Sequence, residues 1–121
     1  MTLSQPVPIL RMLDEVKARE FYVSFLGFKV DWEHRFDDNA PLYMQISRDS
    51  CVLHLPEHYG DCTPGGAIRI DTDAVDALHR ELNEKNYKYA HPGVGDTPWG
   101  TREMIIRDPF GNRVVFSQRV K

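Results

Sequence analysis

Hydrophobic positions at the start of the chain predict a short strand followed by a helix. The run "PVPILRM" (6–12) is apolar and has prolines near its start, where a strand or a sheet edge tolerates them. In "DEVKAREFYVSFLG" (14–27) apolar residues recur three and four positions apart, on one helical face: Ala18, Phe21, Tyr22, Phe25 and Leu26. Asp14 is suited to cap the start of this helix, and Gly27 is suited to end it.

Three strand-like segments follow this helix. The segment "FKVDWEHRF" (28–36) alternates Phe28, Val30 and Trp32 on one face. The segments "PLYMQIS" (41–47) and "CVLHLP" (51–56) are the next two, and turn-forming residues separate all three. The first half therefore predicts a strand, a helix and three strands.

The second half repeats this order after a glycine-rich link, "HYGDCTPGG" (58–66). "AIRID" (67–71) predicts a strand. "TDAVDALHRELNEKN" (72–86) predicts a helix with Val75, Leu78 and Leu82 on its apolar stripe. Either Thr72 or Asp73 is the expected cap of that helix.

The end of the chain predicts a hairpin. "YKYAHP" (87–92) is a possible strand, and a glycine-rich loop follows it. "TREMIIR" (101–107) and "NRVVFSQ" (112–118) are strands that the turn "DPFGN" joins. Both halves therefore have the same predicted order of strands and helix.

The duplication predicts an α+β fold. The two copies lie about 60 residues apart, a spacing at which a whole supersecondary unit repeats. We expect a single domain over 1–121 made of two βαβββ modules, about 5–58 and about 65–119. One module alone leaves a face of its curved sheet uncovered. The pair is therefore expected to form a half-barrel cleft with the helices outside, and such a cleft is the usual place for a ligand.

Composition narrows the classes of partner. The chain has 121 residues and a formal net charge of −3, which argues against nucleic acid as a partner. It has no apolar run long enough to cross a membrane and no signal-peptide pattern at its start. Its two cysteines, Cys51 and Cys62, are expected to be free thiols in a reducing cytoplasm.

Four stretches resemble the vicinal oxygen chelate superfamily: "VPIL", "AREFYVSFLGF", the central link and "PWG…RDPFGN". That superfamily includes glyoxalase I, extradiol dioxygenases, and fosfomycin and bleomycin resistance proteins. "VPIL" and "PWG" make the chain most similar to the bleomycin resistance branch. This resemblance implies a homodimer in which the first strand crosses to the partner chain at a hinge proline, here Pro8.

Metal-dependent members of the superfamily hold their ion at four positions, which the resemblance places on Val7, His54, Ala67 and Val115. Three of the four side chains have no donor atom, and a shift of one residue along each strand does not supply one. Metal sites of this class draw affinity from several donors. We therefore expect no metal, no other cofactor and no catalytic residue. The "HLPEH" group at 54–58 is interpreted as one inward histidine and a polar loop, because Pro56 prevents helical spacing.

Aromatic residues are the main candidates for ligand contact. The resemblance places two residues that stack on the planar rings of a drug at Trp32 and Trp99. The predicted ligand-binding residues are Trp32, Phe36, Tyr43, His54, Arg69 and Trp99.

Structural alternatives stay open at this point. Trp32 can pack in ordinary strand alternation, and Trp99 can cap the rim of the cleft. Arg11 and Arg69 either pair with an acid such as Asp71 or recognise an anionic or carbonyl group. The nearby acids are expected to form a solvated rim that attracts cations: Asp31, Glu33, Asp37 and Asp38.

These observations predict a metal-free protein that sequesters a bleomycin-type antibiotic or a similar aromatic molecule in a dimer cleft, without turnover. The alternative is a metal-dependent lyase, isomerase or dioxygenase of the same superfamily, against which the missing ligands count. A third hypothesis is the binding of an unrelated small metabolite. No nucleophile–base arrangement, phosphate-binding loop or dinucleotide fingerprint is present in the sequence.

Overall fold

The computed structural model describes residues 1–58, 60 and 63–120 of the chain. Cys62, one of the two predicted free thiols, lies outside the described residues, whereas Cys51 is described and is a free cysteine. The chain divides into two compact units, Met1–Pro64 and Gly65–Lys121. Within the described part of the chain, no helix is both long and apolar enough to cross a membrane.

Unit 1 contains a helix and a three-stranded antiparallel sheet. Its helix begins as α1 (Glu15–Ala18) and continues as a π-helical segment (Arg19–Phe25). The strands, in the spatial order β1-β2-β3, are β1 (Lys29–His34), β2 (Tyr43–Arg48) and β3 (Cys51–Pro56).

The N-terminal segment of unit 1 lies beside β3 in parallel orientation. It forms an isolated bridge between Ile9 and His54 instead of the full strand that the sequence predicts. Backbone bonds run from Leu10 N to His54 O (3.0 Å), from His54 N to Pro8 O (3.0 Å) and from Met12 N to Pro56 O (2.9 Å). Prolines 6 and 8 supply no N–H group, and this limits how far the ladder extends toward the N-terminus.

The helix of unit 1 follows the predicted pattern closely. The Asp14 side chain caps it by accepting a hydrogen bond from the Lys17 N–H group at 3.0 Å. The five residues of the predicted apolar face are all buried: Ala18, Phe21, Tyr22, Phe25 and Leu26. The Leu26 N–H group bonds to the Phe21 carbonyl five residues back, and Gly27 then ends the helix with a φ of 81°.

Unit 2 repeats this topology. Its elements are β4 (Ala67–Asp71), α2 (Val75–Glu84), β5 (Val94–Asp96), β6 (Thr101–Arg107) and β7 (Arg113–Arg119). The strand order is β4-β7-β6-β5, with β4 parallel to β7 and the other pairs antiparallel. In each unit the first segment thus lies parallel to the last strand. The predicted α+β class, with its duplicated order of elements, is confirmed.

Two local predictions in unit 2 are wrong. Residues 87–92 form no strand, and the strand of this region is β5, inside the stretch read as a glycine-rich loop. The cap of α2 is Ala74, not Thr72 or Asp73. The Thr72 hydroxyl instead accepts from the Ala74 N–H group (3.2 Å), and the Val75 N–H group donates to Gln118 Oε1 on β7 (2.9 Å). A tertiary contact thus replaces the local cap.

Two buried polar side chains hold the turn at 108–112 together. Asp108 and Asn112 are 6% and 0% exposed. Asp108 Oδ1 accepts from the backbone of Phe110 and Asn112, and Asn112 Nδ2 donates to Asp108 Oδ2 at 2.9 Å. Asn112 Oδ1 accepts from the Gly65 N–H group at 3.0 Å, and Gly111 supplies the positive φ of 89°. The motif therefore anchors the β6–β7 hairpin to the start of unit 2.

Candidate ligand-binding site

A bulge in β1 decides where Trp32 lies. Val30 is paired with Ile46, but Trp32 is paired with Gln45, so an extra residue stands opposite a single position of β2. In an unbroken ladder Trp32 would face Met44, which is fully buried. The bulge moves it to the open face of the sheet, where it is 43% exposed. Trp32 is therefore not part of the core, although the alternation with Phe28 and Val30 favours that interpretation.

Three rings form a continuous surface on this open face. The Trp32 and Tyr43 rings are nearly parallel, with an interplanar angle of 7° and centroids 6.0 Å apart. The His54 ring meets both rings edge-on, at 5.4 Å from Trp32 and 5.3 Å from Tyr43. We call Trp32, Tyr43 and His54 the aromatic surface. An aromatic ring needs about 3.5 Å on each side to insert between two others, so the space between Trp32 and Tyr43 is too narrow for a further ring.

The aromatic surface continues toward Phe36 through a second histidine. His58 lies 6.1 Å from the ring of Tyr43 and 6.1 Å from the ring of Phe36, edge-on to both. His34 packs edge-on against Phe36 at 4.8 Å. Phe36 is 79% exposed, so its ring is available for contact with a ligand.

A directional chain of hydrogen bonds fixes the polar atoms of this face. Gln45 Nε2 donates to Asp31 Oδ2 at 3.0 Å, which turns Gln45 Oε1 toward His54 Nε2, 3.0 Å away. Because an amide oxygen only accepts, His54 Nε2 carries a proton. Tyr43 Oη lies 2.8 Å from His54 Nδ1 and donates to it in the neutral tautomer. The chain thus runs from Tyr43 through His54 and Gln45 to Asp31.

The carboxylate at the end of this chain stays ionised. Hydrogen bonds from Gln45 and Ser47, and to a lesser extent the charge of Lys29, lower the pKa of Asp31, while burial opposes them. Ser47 Oγ donates to Asp31 Oδ1 at 2.9 Å. A neighbouring acid, Glu33, is paired with Arg19 at 2.8 Å. The predicted acidic rim is therefore partly committed to internal contacts.

The other two predicted residues lie in unit 2. Arg69, on β4, pairs with the Glu103 carboxylate on β6, and not with Asp71, the acid named from the sequence. Trp99 lies in the turn between β5 and β6, where the Thr97 N–H group donates to the Thr101 carbonyl at 2.8 Å and Gly100 has a φ of 89°. The Trp99 side chain is 68% exposed.

The residues at the four expected metal positions do not fit a first-row metal ion. Val7, Ala67 and Val115 carry no donor atom, and both ring nitrogens of His54 are engaged by Tyr43 and Gln45. Among residues 1–58, 60 and 63–120, no group of three or more His, Cys, Asp or Glu is placed to hold an ion. Binding at His54 would require the loss of one of its two hydrogen bonds.

The family model for glyoxalase superfamily proteins matches residues 1–121. The chain belongs to this superfamily. A curated bleomycin resistance protein from Geobacillus stearothermophilus is 25% identical, over 97% of this chain and 98% of its own length. The predicted relation of the chain to glyoxalase and bleomycin resistance proteins is thereby confirmed.

Solved structures of superfamily proteins show the same fold. The bleomycin-binding protein of Streptomyces verticillus, in complex with copper(II)-bleomycin, is 31% identical over 96% of each chain, with a TM-score of 0.67. An antibiotic-binding protein from Streptomyces sp. is 26% identical over 98% of each chain, with a TM-score of 0.71. A glyoxalase-related enzyme from Clostridium phytofermentans has a TM-score of 0.77, covers 99% of this chain and 98% of its own, and is 21% identical, which shows the fold alone.

Unit 1 brings together Trp32, Tyr43 and His54 and adds Phe36 at their side. Gln45 and Asp31 orient this group; the sequence did not point to Gln45, and it placed Asp31 only in a solvated acidic rim. Gln45 could have been found, since it lies two residues after Tyr43 on the same strand face. Asp31 could not, because only the bulge brings its side chain and that of Trp32 to one face.

Proposed function

We propose that this glyoxalase superfamily protein binds a bleomycin-type antibiotic, or a similar planar aromatic molecule, and holds it without chemical change. The observation that carries the proposal is the aromatic surface of unit 1. The Trp32 indole, 43% exposed, lies nearly parallel to the Tyr43 ring on an antiparallel sheet. Exposed aromatic rings held in a fixed orientation are suited to stack on planar heterocycles. The bleomycin-binding relative from Streptomyces verticillus supports the same ligand class.

The proposed ligand contacts come from six residues. Trp32, Tyr43 and Phe36 stack on apolar rings of the ligand, and Trp99 adds a further exposed indole. Arg69 provides a polar contact, and the His54 ring provides an aromatic one, because both of its nitrogens are engaged by Tyr43 and Gln45. Asp31, which keeps its negative charge, favours a ligand with a cationic group.

The chemistry of the side chains supports capture without turnover. The positions at which metal-dependent relatives bind an ion carry aliphatic groups here, apart from His54. His54 is held between Tyr43 and Gln45, so both of its nitrogens serve the internal hydrogen-bond chain. We therefore place this protein among binders and not among the lyases, isomerases and dioxygenases of the superfamily.

We further propose that the chain acts as a homodimer with exchanged N-terminal segments hinged at Pro8. Leu10 and Met12 are buried, and their N–H groups bond to carbonyls of β3. The same bonds are available to the segment of a second copy, so exchange costs little contact energy. Sedimentation velocity at micromolar concentration tests this. A monomer at all concentrations would rule out the dimer while leaving the ligand proposal in place.

Calorimetric titration with bleomycin tests the proposed function. We expect binding of both metal-free and copper(II)-bleomycin, with the drug recovered unchanged by mass spectrometry after prolonged incubation. Tyr89→Ala is the matched control, because Tyr89 is an exposed aromatic residue, 66% accessible, outside the predicted site. Absence of binding at micromolar concentration contradicts the ligand class. Recovery of a modified drug, or metal-dependent turnover of it, supports the enzyme alternative instead.

A further inference from the structure

Glu103 is a polar group that the sequence reasoning did not assign to any role. It lies on β6 opposite Ser117 of β7, and β4 with Arg69 lies on the other side of β7. Its side chain is 8% exposed, whereas that of Arg69 is 54% exposed. Strand alternation puts Glu103, Ser117 and Arg69 on one face of the sheet. Arg102 and Gln118, which bond to Asp76 and Val75 at α2, lie on the other face. The carboxylate is therefore held on the face that α2 does not cover.

All side-chain hydrogen bonds of Glu103 within the described residues converge on one oxygen. Glu103 Oε2 accepts from Arg69 Nη2, from Thr101 Oγ1 at 2.8 Å and from Ser117 Oγ at 3.1 Å. These bonds, led by the one from Arg69, lower the pKa of Glu103, so the group stays ionised although burial opposes this. Arg69 Nη2 also donates to Ser117 Oγ at 3.3 Å, so this one nitrogen contacts both Glu103 and Ser117.

The second oxygen of Glu103 is open. Oε1 accepts no hydrogen bond from the described residues, and none of their fully buried side-chain polar atoms lacks a partner, so Oε1 is in contact with solvent. Arg69 similarly uses only Nη2, which leaves Nε and Nη1 free to donate within the described part of the chain. An open acceptor and a planar donor thus belong to the two partners of one ion pair.

We propose that Glu103 and Arg69 form a subsite for a carboxamide group of the ligand. Glu103 Oε1 accepts from the amide N–H group, while the free guanidinium N–H groups of Arg69 donate to the amide carbonyl. The internal ion pair is close to neutral overall, so the subsite suits a neutral group that has both a donor and an acceptor better than it suits a cation or an anion alone. The inference rests on the proposed function only in that this carboxamide belongs to the bound small molecule.

Small probes test the subsite without reference to the drug. Acetamide, sodium acetate and methylammonium chloride are titrated separately into the protein, and the Glu103 carboxyl carbon and the Arg69 Nε–H group are followed by NMR. We expect a saturable shift with acetamide that is at least about fivefold tighter than any response to the other two probes. Equal or tighter binding of methylammonium or acetate overturns the carboxamide assignment, and so does the absence of saturation with every probe.

Variants separate recognition from folding. In Arg69→Met, whose side chain is largely exposed, acetamide should bind about tenfold more weakly, as followed at the Glu103 carboxyl carbon. Glu84→Ala, which removes an exposed glutamate of α2, is the control and should leave the acetamide titration unchanged. Bleomycin affinity should fall about tenfold in Glu103→Ala. If the natural chain fails to bind bleomycin, the proposed function fails, and the acetamide titration still decides the subsite.

Discussion

Truncation of Trp32 should weaken bleomycin binding by one to two orders of magnitude. The indole is 43% exposed in the free protein. A tryptophan side chain carries about 250 Å² of surface, so about 100 Å² is open to a ligand. At about 25 cal/mol per Å² its complete burial contributes about 2.5 kcal/mol, and ring stacking adds about 1 kcal/mol. Incomplete coverage and loss of side-chain freedom reduce the sum to about 1.5–3 kcal/mol, or about 10- to 150-fold in Kd.

The assay compares Trp32→Ala, Trp32→Phe and Tyr89→Ala by calorimetry with copper(II)-bleomycin. Phenylalanine keeps a stacking ring, so Trp32→Phe should retain affinity within about fivefold of the natural chain. The chain has two tryptophans, and Trp32→Phe leaves Trp99 as the single indole, whose fluorescence then reports on unit 2 alone. Far-UV circular dichroism and thermal melting confirm that each variant is folded.

Two results would refute the reasoning about Trp32. If Trp32→Ala binds within twofold of the natural chain, the aromatic surface takes no part in ligand capture. If Tyr89→Ala loses as much affinity as Trp32→Ala, the drug binds to exposed aromatic rings without selecting the predicted face. A loss confined to Trp32→Ala supports stacking at the position that the bulge creates.

Three further predictions concern stability and protonation. Asn112→Ala removes the side-chain hydrogen bonds of a fully buried residue, among them those with Gly65 and Asp108. It should lower the free energy of unfolding by about 2–4 kcal/mol in urea denaturation, whereas Asn39→Ala, on an exposed loop, should change it by less than about 0.5 kcal/mol. A loss below about 1 kcal/mol for Asn112→Ala would contradict the argument that the buried side chain holds the turn. Because the pKa of Glu103 is lowered in the folded protein, its contribution to stability is complete above the usual glutamate pKa of 4.5 and is lost as the pH falls through the lower folded value. Glu103→Gln should therefore flatten the decline of melting temperature between about pH 5 and pH 3. An unchanged slope would argue against the ion pair with Arg69. Tyr43→Phe should lower the free energy of unfolding by about 1 kcal/mol, because it removes the hydrogen bond to His54. Nitrogen NMR of the natural chain should show the Nε2–H tautomer of His54. The opposite tautomer would contradict the orientation of Gln45.

Much of the fold follows from sequence because its signals are local. The apolar face of the first helix, from Ala18 to Leu26, is buried as the spacing requires, and β3, β4 and β6 have the bounds that hydrophobic runs and turn residues mark. The cap of α2 was missed because its partner, Gln118, is 43 residues away along the chain. Local preference for Thr72 or Asp73 carries no information about such a contact.

The candidate site was harder to predict than the fold. Its aromatic members were named from resemblance, but the alternation of Phe28, Val30 and Trp32 favoured a buried Trp32. A bulge has no clear signature in the residues of β1, because it depends on how β1 pairs with β2. The partner of Arg69 was likewise set by pairing across three strands, which brings Glu103 of β6 within ion-pair distance of it.

Because of the single extra residue in β1, substitutions and deletions in this sheet have different effects on its open face. Substitutions along β2 act on one face at a time, since its core side chains and its open side chains alternate. Loss of one codon at 31 or 32 would instead restore an unbroken ladder in which only Trp32 or only Asp31 stands opposite Gln45, while the pairs Glu33–Met44 and His34–Tyr43 stay as they are. Ligand preference in this lineage can therefore shift by deletion as well as by replacement, with the packed interior left as it is.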